Sequence, residues 1–343
     1  MQLSSLLAEL DVPVVGAPLG GGPSTPELVG AVSRAGGLGF LAAGYKTPDA
    51  IAEQIRAVRA PGTPFGVNVF APNPLPVEPA EFRGYAEAVA ADAARYGIDL
   101  TAAEPIEDDD HWQAKLDLLR RDPVPVVSFT FGLPEAATVS ALQRAGTVVL
   151  LTVTTPGEAR LAAGLRPDGL VVQSAAAGGH SGTLTPRTPV PALPLADLVR
   201  AVRAQTELAI IAGGGIGTPA DATAALQAGA AAVAIGTLLM RTDESGASAT
   251  HRAALADPRR IDTVVTRAFT GRPARALRND FTDEHSAEAP FGYPALHYLT
   301  TALRKAAAAA NDPERVHLWA GTGFRHTSTG SAADVVTNLA RGF

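Results

Sequence analysis

The sequence predicts an α/β protein: a (β/α)8 TIM barrel with a smaller, mostly helical second domain. Short apolar segments alternate with longer helical patterns, as expected for parallel strands that are joined by crossover helices. The chain has 343 residues. A barrel of this type takes about 250 residues, so a modest further domain fits. The eight predicted strands are residues 12–17, 38–42, 65–70, 124–130, 147–153, 169–173, 209–212 and 231–235.

The predicted crossover helices begin and end at recurring residue types. Several follow a Thr-Pro pair, in which Pro suits the first helical turn. Many end at glycine, which stops a helix readily. The Thr-Pro pairs begin at Thr25, Thr47, Thr155 and Thr218, and the terminal glycines are Gly36, Gly146, Gly164 and Gly229.

An open, doubly wound sheet is the structural alternative. A dinucleotide-binding sheet needs a Gly-x-Gly-x-x-Gly loop between a strand and a helix. The nearest match, at residues 37–42, leads into a predicted strand rather than out of one. The sequence therefore favours the barrel.

Three regions follow from this alternation. They are the barrel at 1–237 with an excursion at about 71–123, a small lid or substrate domain at 238–318, and a return to the barrel at 319–343. The lid is expected to hold helices near 248–256 and 294–310 and a strand near 262–268, and a last helix is expected at 331–339. The acidic run at 107–110 is interpreted as the solvated start of a helix.

Composition excludes several classes of function. The net charge of −6 argues against nucleic-acid binding, which needs a basic surface. The absence of cysteine excludes disulfides, thiolate nucleophiles and cysteine metal sites, and the histidine spacing predicts no metal site. No run of 18 apolar residues and no signal peptide is recognised, so a cytoplasmic protein without a membrane partner is expected.

Two glycine-containing loops follow the last two predicted strands. They are Gly213-Gly214-Gly215-Ile216-Gly217 and Gly236-Thr237. In such barrels the loops after strands seven and eight often bind phosphate, because glycine lets backbone N–H groups approach and a following helix adds its positive end. Tight turns alone would explain one such loop, but the pair predicts a phosphate site.

The loop after the sixth strand is the candidate catalytic segment. It runs from Gln173 to Gly182 and contains Gly178, Gly179 and His180. Gln173 ends the strand, where its side chain can reach a ligand. A histidine flanked by glycines at the catalytic mouth suits a general base or an electrostatic partner, although a lone loop histidine is often only solvated. A serine-hydrolase elbow is disfavoured, because Thr183 breaks the Gly-x-Ser-x-Gly pattern.

Asn68 places a polar side chain within an apolar strand. A buried amide without a partner costs roughly 1–3 kcal/mol. The edge of a flavin ring would provide that partner. Ordered water or a neighbouring backbone group would serve equally well.

These segments together resemble the nitronate monooxygenase family, formerly called 2-nitropropane dioxygenases. The resemblance covers nearly the whole chain and is most specific at 173–182. Its other segments are residues 14–21, 35–39, 65–68, 211–216, 234–237, 270–275 and 319–321. The family implies an FMN-dependent oxidoreductase that converts alkyl nitronates and O2 to carbonyl compounds and nitrite.

The resemblance also implies roles for individual residues. His180 matches the catalytic histidine, and we expect it to act as a general base towards a nitroalkane. The FMN ring and ribityl chain would contact Ala17, Pro18, Leu19, Asn68, Gln173 and Gly178, and the phosphate would contact Gly213, Gly214, Gly215, Ala234, Ile235, Gly236 and Thr237. Assembly into a homo-oligomer is left open.

Three positions depart from the family pattern. Ser174 and Ala176 replace the usual Gly and Glu, and Thr322 stands where many members have Gln. FMN binding depends mainly on glycines and backbone, so these departures bear on substrate choice. The alternative functions are an NAD(P)H-dependent enoyl-acyl-carrier-protein reductase of the same superfamily and a flavin-binding module without turnover.

Overall fold

Eight parallel strands close into a barrel in a computed structural model, which describes residues 3–59 and 63–343. The strands of the chain are β1 (Val14–Gly16), β2 (Leu38–Ala42), β3 (Phe65–Phe70), β4 (Val126–Thr130), β5 (Val148–Val153), β6 (Gly169–Gln173), β7 (Gly179–His180), β8 (Ala209–Gly213), β9 (Ala232–Ile235), β10 (Thr263–Thr266) and β11 (Ala274–Leu277). The barrel order is β1-β2-β3-β4-β5-β6-β8-β9, and β9 pairs with β1 to close it. The predicted barrel is therefore confirmed.

The helices cover the outside of the barrel and build a second layer above its carboxyl end. They are α1 (Leu3–Ala8), α2 (Pro26–Arg34), α3 (Pro48–Arg59), α4 (Pro79–Ala88), α5 (Ala90–Ala94), α6 (Trp112–Arg121), α7 (Ala136–Arg144), α8 (Pro156–Ala163), α9 (Leu195–Arg203), α10 (Pro219–Gln227), α11 (Ala249–Ala256), α12 (Asp280–His285), α13 (Ala295–Ala309) and α14 (Ala332–Ala340). No helix of the described residues is long and apolar enough to cross a membrane.

The Thr-Pro signals act as helix starts. The hydroxyl oxygens of Thr25, Thr155 and Thr218 each accept a hydrogen bond from the backbone N–H three residues later, with Pro at the first helical position. Each bond satisfies one of the free N–H groups that every helix start presents. These starts set where each crossover leaves the carboxyl end of its strand.

The interior of the barrel changes from apolar to polar along the strands. Leu3 and Leu6 of α1 join the cluster that fills the amino-terminal end. Along β4, Val126 belongs to this cluster, whereas Ser128 and Thr130 bond to a side chain of β3 nearer the carboxyl end. The polar end of the barrel is where the candidate site lies.

The segments above the barrel pack together. Helices α4 and α5 share one buried apolar cluster with α12 and α13. Strands β10 and β11 form an antiparallel sheet with β7, and β11 and α12 were not predicted. The division of the chain into three regions remains a prediction.

Candidate active site

A cavity of about 800 Å³ opens at the carboxyl ends of the barrel strands. The strand ends and their loops form one side of it. The opposite side comes from α13 and from residues between 316 and 323. All predicted site residues border this single cavity: Ala17, Pro18, Leu19, Asn68, Gln173, Gly178, His180, Gly213, Gly214, Gly215, Ala234, Ile235, Gly236 and Thr237.

The glycine loop after β8 has a backbone that requires glycine. Gly214 and Gly215 have φ values of +118° and +79°, a region that glycine enters without steric cost. A Cβ at Gly214 would lie 2.4 Å from Ser174 Oγ and 3.0 Å from the Ala177 nitrogen. Neither loop N–H donates to a backbone carbonyl of another described residue. Both N–H groups therefore remain available to an anion in the cavity.

The hydroxyl of Thr237 has a structural partner. The backbone N–H of Gly321 donates to Thr237 Oγ1 over 2.9 Å. Gly178 packs closely against the same segment, because a Cβ at Gly178 would lie only 2.5 Å from the Gly321 nitrogen. These two predicted ligand residues thus also hold the segment that includes Trp319 and Gly321.

The three departures from the family pattern lie together beside the glycine loop. Ser174 Oγ donates to the Gly214 carbonyl over 3.3 Å and accepts from the Ala176 N–H over 3.2 Å. The Thr322 N–H donates to the Ala176 carbonyl over 3.0 Å. These contacts therefore support the glycine loop.

Two groups fix the loop that carries His180. Gln173 Nε2 donates to the His180 carbonyl over 3.2 Å, and Gln173 Oε1 accepts from the Gly182 N–H over 2.7 Å. His180 also pairs with Ala274 of β11. The amide of Gln173 is thus committed to shaping the loop, which the sequence did not reveal.

His180 lies within a wall of aromatic rings. Its ring centroid is 5.4–5.7 Å from those of Phe131, Tyr293 and Trp319. The hydroxyl of Thr270 lies 2.9 Å from Nε2.

Burial, together with the positive charges of Arg272 and Arg304, lowers the pKa of His180 to about 3. The imidazole is therefore neutral at physiological pH.

Asn68 finds its partners within the barrel. Its Nδ2 donates to Ser128 Oγ and to Thr130 Oγ1, each over 2.9 Å, and to the Ser128 carbonyl over 3.2 Å. Neighbouring groups thus satisfy the amide nitrogen, as one of the alternatives for this residue anticipated. Asn68 still borders the cavity.

Several cavity residues were not predicted. They lie on α13 and on the loops that face it, and they include Tyr45, Thr270, His297, Thr301, Arg304 and Trp319. One signal was present in the sequence: Arg304 follows Leu296 and Thr300 at helical spacing and thus places a charge on the buried face of α13. A charge on such a stripe is a candidate functional residue.

The acidic run at 107–110 is more than a solvated helix start. Asp110 accepts from the Tyr45 N–H over 2.9 Å and pairs with the buried Lys115 over 2.7 Å. Asp108 accepts from the Tyr298 hydroxyl. The run therefore ties the loop after β2 to α13 beside the cavity.

Comparisons with known proteins agree with this geometry. The family model described as nitronate monooxygenase matches residues 4–342. A probable nitronate monooxygenase of Staphylococcus aureus is 32% identical over 98% of this chain and 96% of its own length.

Solved structures show the same arrangement of the chain. The nitroalkane oxidase from Streptomyces ansochromogenes is 44% identical, with a TM-score of 0.92 over 98% of this chain and 97% of that one. FabK from Thermotoga maritima is 24% identical with a TM-score of 0.76, over 100% of this chain and 96% of its own, and shows the fold alone. Since the family model spans almost every residue, the chain belongs to the nitronate monooxygenase family and is an oxidoreductase of that type.

Proposed function

We propose that this protein binds FMN and oxidises alkyl nitronates with O2 to carbonyl compounds and nitrite. The observation that carries the proposal is that the glycine loop with positive φ values and neutral His180 meet at one cavity. In this reaction two nitronate ions and one O2 give two carbonyl molecules and two nitrite ions, so that atoms and charge balance.

The cavity residues suit a flavin mononucleotide. Gly214 and Gly215, together with Gly236 and Thr237 after β9, would hold the phosphate through backbone N–H groups. The backbone at Ala17–Leu19 and the side chain of Asn68 would hold the ring. When bound, FMN would supply the redox chemistry and the reactivity with O2 that the side chains lack.

The chain itself would bind and orient the substrate. The aromatic rings around His180 exclude water from the reacting carbon, which strengthens electrostatic interactions there. Neutral His180 is able to take the α-proton of a nitroalkane, whose C–H bond breaks as the carbon becomes the electron-rich nitronate. A preformed nitronate needs no such step.

Two measurements test the proposal. Denaturation of the purified protein should release one noncovalent FMN, identified by mass and absorbance. Anaerobic mixing of the loaded protein with propyl-2-nitronate should bleach the flavin spectrum. Recovery of FAD or of no flavin would defeat the cofactor assignment, and an unchanged spectrum would defeat the reaction.

Oxidation of the neutral nitroalkane is the second candidate function. The 44% identical structure is named a nitroalkane oxidase, and His180 provides a base for that substrate. Freshly dissolved 2-nitropropane, which ionises slowly, separates the two candidates when its rate is compared with that of the nitronate. Rapid flavin reduction by NAD(P)H alone would instead favour an enoyl-reductase activity. If the nitronate, the nitroalkane and NAD(P)H all leave the flavin unchanged, the protein would be a flavin-binding module without turnover.

A further inference from the structure

Arg304 is a buried cation that borders the cavity. Its residue is 5% exposed, and it lies on α13 one helical turn from Thr300. Burial lowers its pKa to about 10, so the guanidinium remains charged at neutral pH.

The guanidinium is held in one orientation by its own helix. Nε donates to Thr300 Oγ1 over 3.0 Å, and Nη2 donates to the His297 carbonyl over 2.7 Å and to Thr301 Oγ1 over 2.9 Å. Thr300 is itself anchored, because its hydroxyl donates to the Phe269 carbonyl. These bonds use one edge of the guanidinium and leave Nη1 without an acceptor among the described residues.

No carboxylate of the described residues forms an ion pair with Arg304. The contrast with Arg315 is direct, since that side chain is also buried but pairs with Asp92 and Glu284. A buried charge without a counter-charge is costly. The unpaired Arg304 therefore presents a positive charge and free N–H groups to the cavity.

Arg272 adds positive charge from a second direction. It is completely buried, donates to the carbonyls of Asn73 and Thr183, and lies 4.1 Å from the centre of the Phe131 ring. Its polar contacts are with the protein backbone, and it does not border the cavity. Of these two arginines, Arg304 is thus the one that a bound molecule would meet.

Two lysines also border the cavity. Lys46 Nζ already donates to the Ala42 carbonyl and to Gln54 Oε1, and Lys305 is exposed to solvent. Arg304 is therefore the buried cation that offers an N–H group without an acceptor among the described residues.

We propose that Arg304 is a substrate-anchoring residue that binds the anionic NO2 group of the nitronate through Nη1. This inference rests on the proposed function and names the charge state that the site selects. A nitronate spreads one negative charge over two oxygens, as a carboxylate does, and guanidinium N–H groups bind such pairs of oxygens well. Anchored in this way, the anion also supplies the counter-charge that the site lacks.

Inert probes test this selection without turnover. Isobutyrate resembles propyl-2-nitronate in shape and charge, and isobutyramide resembles it in shape alone. For the FMN-loaded wild-type protein we expect isobutyrate to bind about 10- to 100-fold more tightly than isobutyramide, as a charge-assisted hydrogen bond allows. Titration calorimetry gives both affinities. Equal affinities would overturn the proposal, and this comparison needs no variant.

Two variants then assign the effect to Arg304. Arg304→Gln should remove the preference for isobutyrate and raise the KM for propyl-2-nitronate by a similar factor, while kcat changes much less. Arg304→Lys should keep part of the preference, because the charge remains. Arg83→Gln, which removes an exposed charge on α4, is the matched control and should behave as wild type.

The outcomes separate the two proposals. If wild-type protein prefers isobutyrate through Arg304 but does not oxidise propyl-2-nitronate, the anion site stands and the proposed reaction fails. If nitronate is oxidised and Arg304→Gln keeps both the wild-type preference and the wild-type KM, the reaction stands and the role of Arg304 is refuted. If Arg304→Gln weakens the binding of isobutyrate and of isobutyramide by the same factor, the role of Arg304 is merely structural and the proposal is refuted.

Discussion

The chemistry of His180 depends on the charges around it. Arg272 and Arg304 both oppose protonation of the imidazole, and burial opposes it more strongly. An imidazole in this setting is a weak base on its own. A nitronate anion formed beside it would favour the imidazolium, because opposite charges at short range stabilise each other. Proton transfer and anion binding would therefore support one another.

His180→Asn should separate the two substrates. We expect oxidation of neutral 2-nitropropane to fall by about 10²–10⁴-fold, the usual contribution of a general base, while oxidation of preformed propyl-2-nitronate falls far less. Steady-state rates on both substrates, at equal FMN content, measure the difference. A parallel fall would assign His180 an electrostatic role instead, and wild-type rates on both would show that it is only a loop histidine.

At the scale of single elements, the conformation of the turn after β8 depends on glycine, which has no side chain. Gly214 combines a positive φ with close contacts to Ser174 and Ala177. Gly84, in contrast, lies in α4 and a Cβ there would meet nothing within 4 Å. The two glycines form a matched pair, in which only the first has a conformational reason to be glycine.

Gly214→Ala should therefore weaken FMN retention, and Gly214→Asp, which adds a carboxylate at the phosphate loop, should abolish it. Gly84→Ala should retain FMN and stabilise the protein by up to about 1 kcal/mol, the helix propensity difference between the two residues. Flavin absorbance after gel filtration reports retention. Full retention by Gly214→Asp would contradict the phosphate assignment.

The acidic run before α6 predicts a second element-scale effect. Asp110→Asn would leave Lys115 buried without its partner, and breaking a buried ion pair in this way costs about 3–5 kcal/mol. Urea unfolding should show the loss, and adding Lys115→Met should restore much of it. Asp109→Asn, an exposed neighbour with the same change in charge, should leave the free energy of unfolding within about 0.5 kcal/mol of wild type.

The same run shows what short sequence patterns leave undecided. Four consecutive acidic residues are typical of a solvated surface, and residues 107–109 are exposed. Only the fourth turns inward, because Lys115 on α6 and the Tyr45 N–H lie beneath it. Tyr45 lies 65 residues away in the chain, and no local pattern identifies it as a partner.

Across the whole molecule, buried histidines predict sensitivity to acid. Burial lowers the pKa of His180 to about 3, of His251 to about 4 and of His297 to about 2, and lowers that of His317 well below its usual value. In the unfolded chain these groups bind protons below about pH 6.5, whereas in the folded protein they stay neutral until much lower pH. The unfolded state then binds more protons, so stability falls as pH decreases through this window.

Each such histidine should lower the free energy of unfolding by about 1 kcal/mol between pH 6.5 and pH 5.5. Urea unfolding with saturating FMN at pH 7.5, 6.5 and 5.5 measures the slope. His251→Gln should reduce the slope, because it removes one of the buried groups whose pKa is lowered. A free energy that stays constant over this range would show that these groups are protonated in the folded protein.

The sequence by itself determined the barrel, because its evidence is local. Each strand is a short apolar segment, each Thr-Pro pair starts a helix, and each glycine loop follows directly after its strand. Parallel strands bring their carboxyl ends to one face, so residues as distant as Asn68, His180 and Thr237 could be assigned to one site. The strand ends differed from the predicted ones by only one or two residues, as in β4, which begins at Val126.

The tertiary structure alone decided how that site is charged and closed. Thr270 bonds His180 across 90 residues, and Arg304 reaches the cavity from a helix whose position relative to the barrel no local pattern specifies. Which cations lack a carboxylate, and which polar groups are already satisfied, depends on packing between segments far apart in the chain. Long-range contacts of this kind set the pKa of His180, because burial and neighbouring charge exist only once the chain has folded.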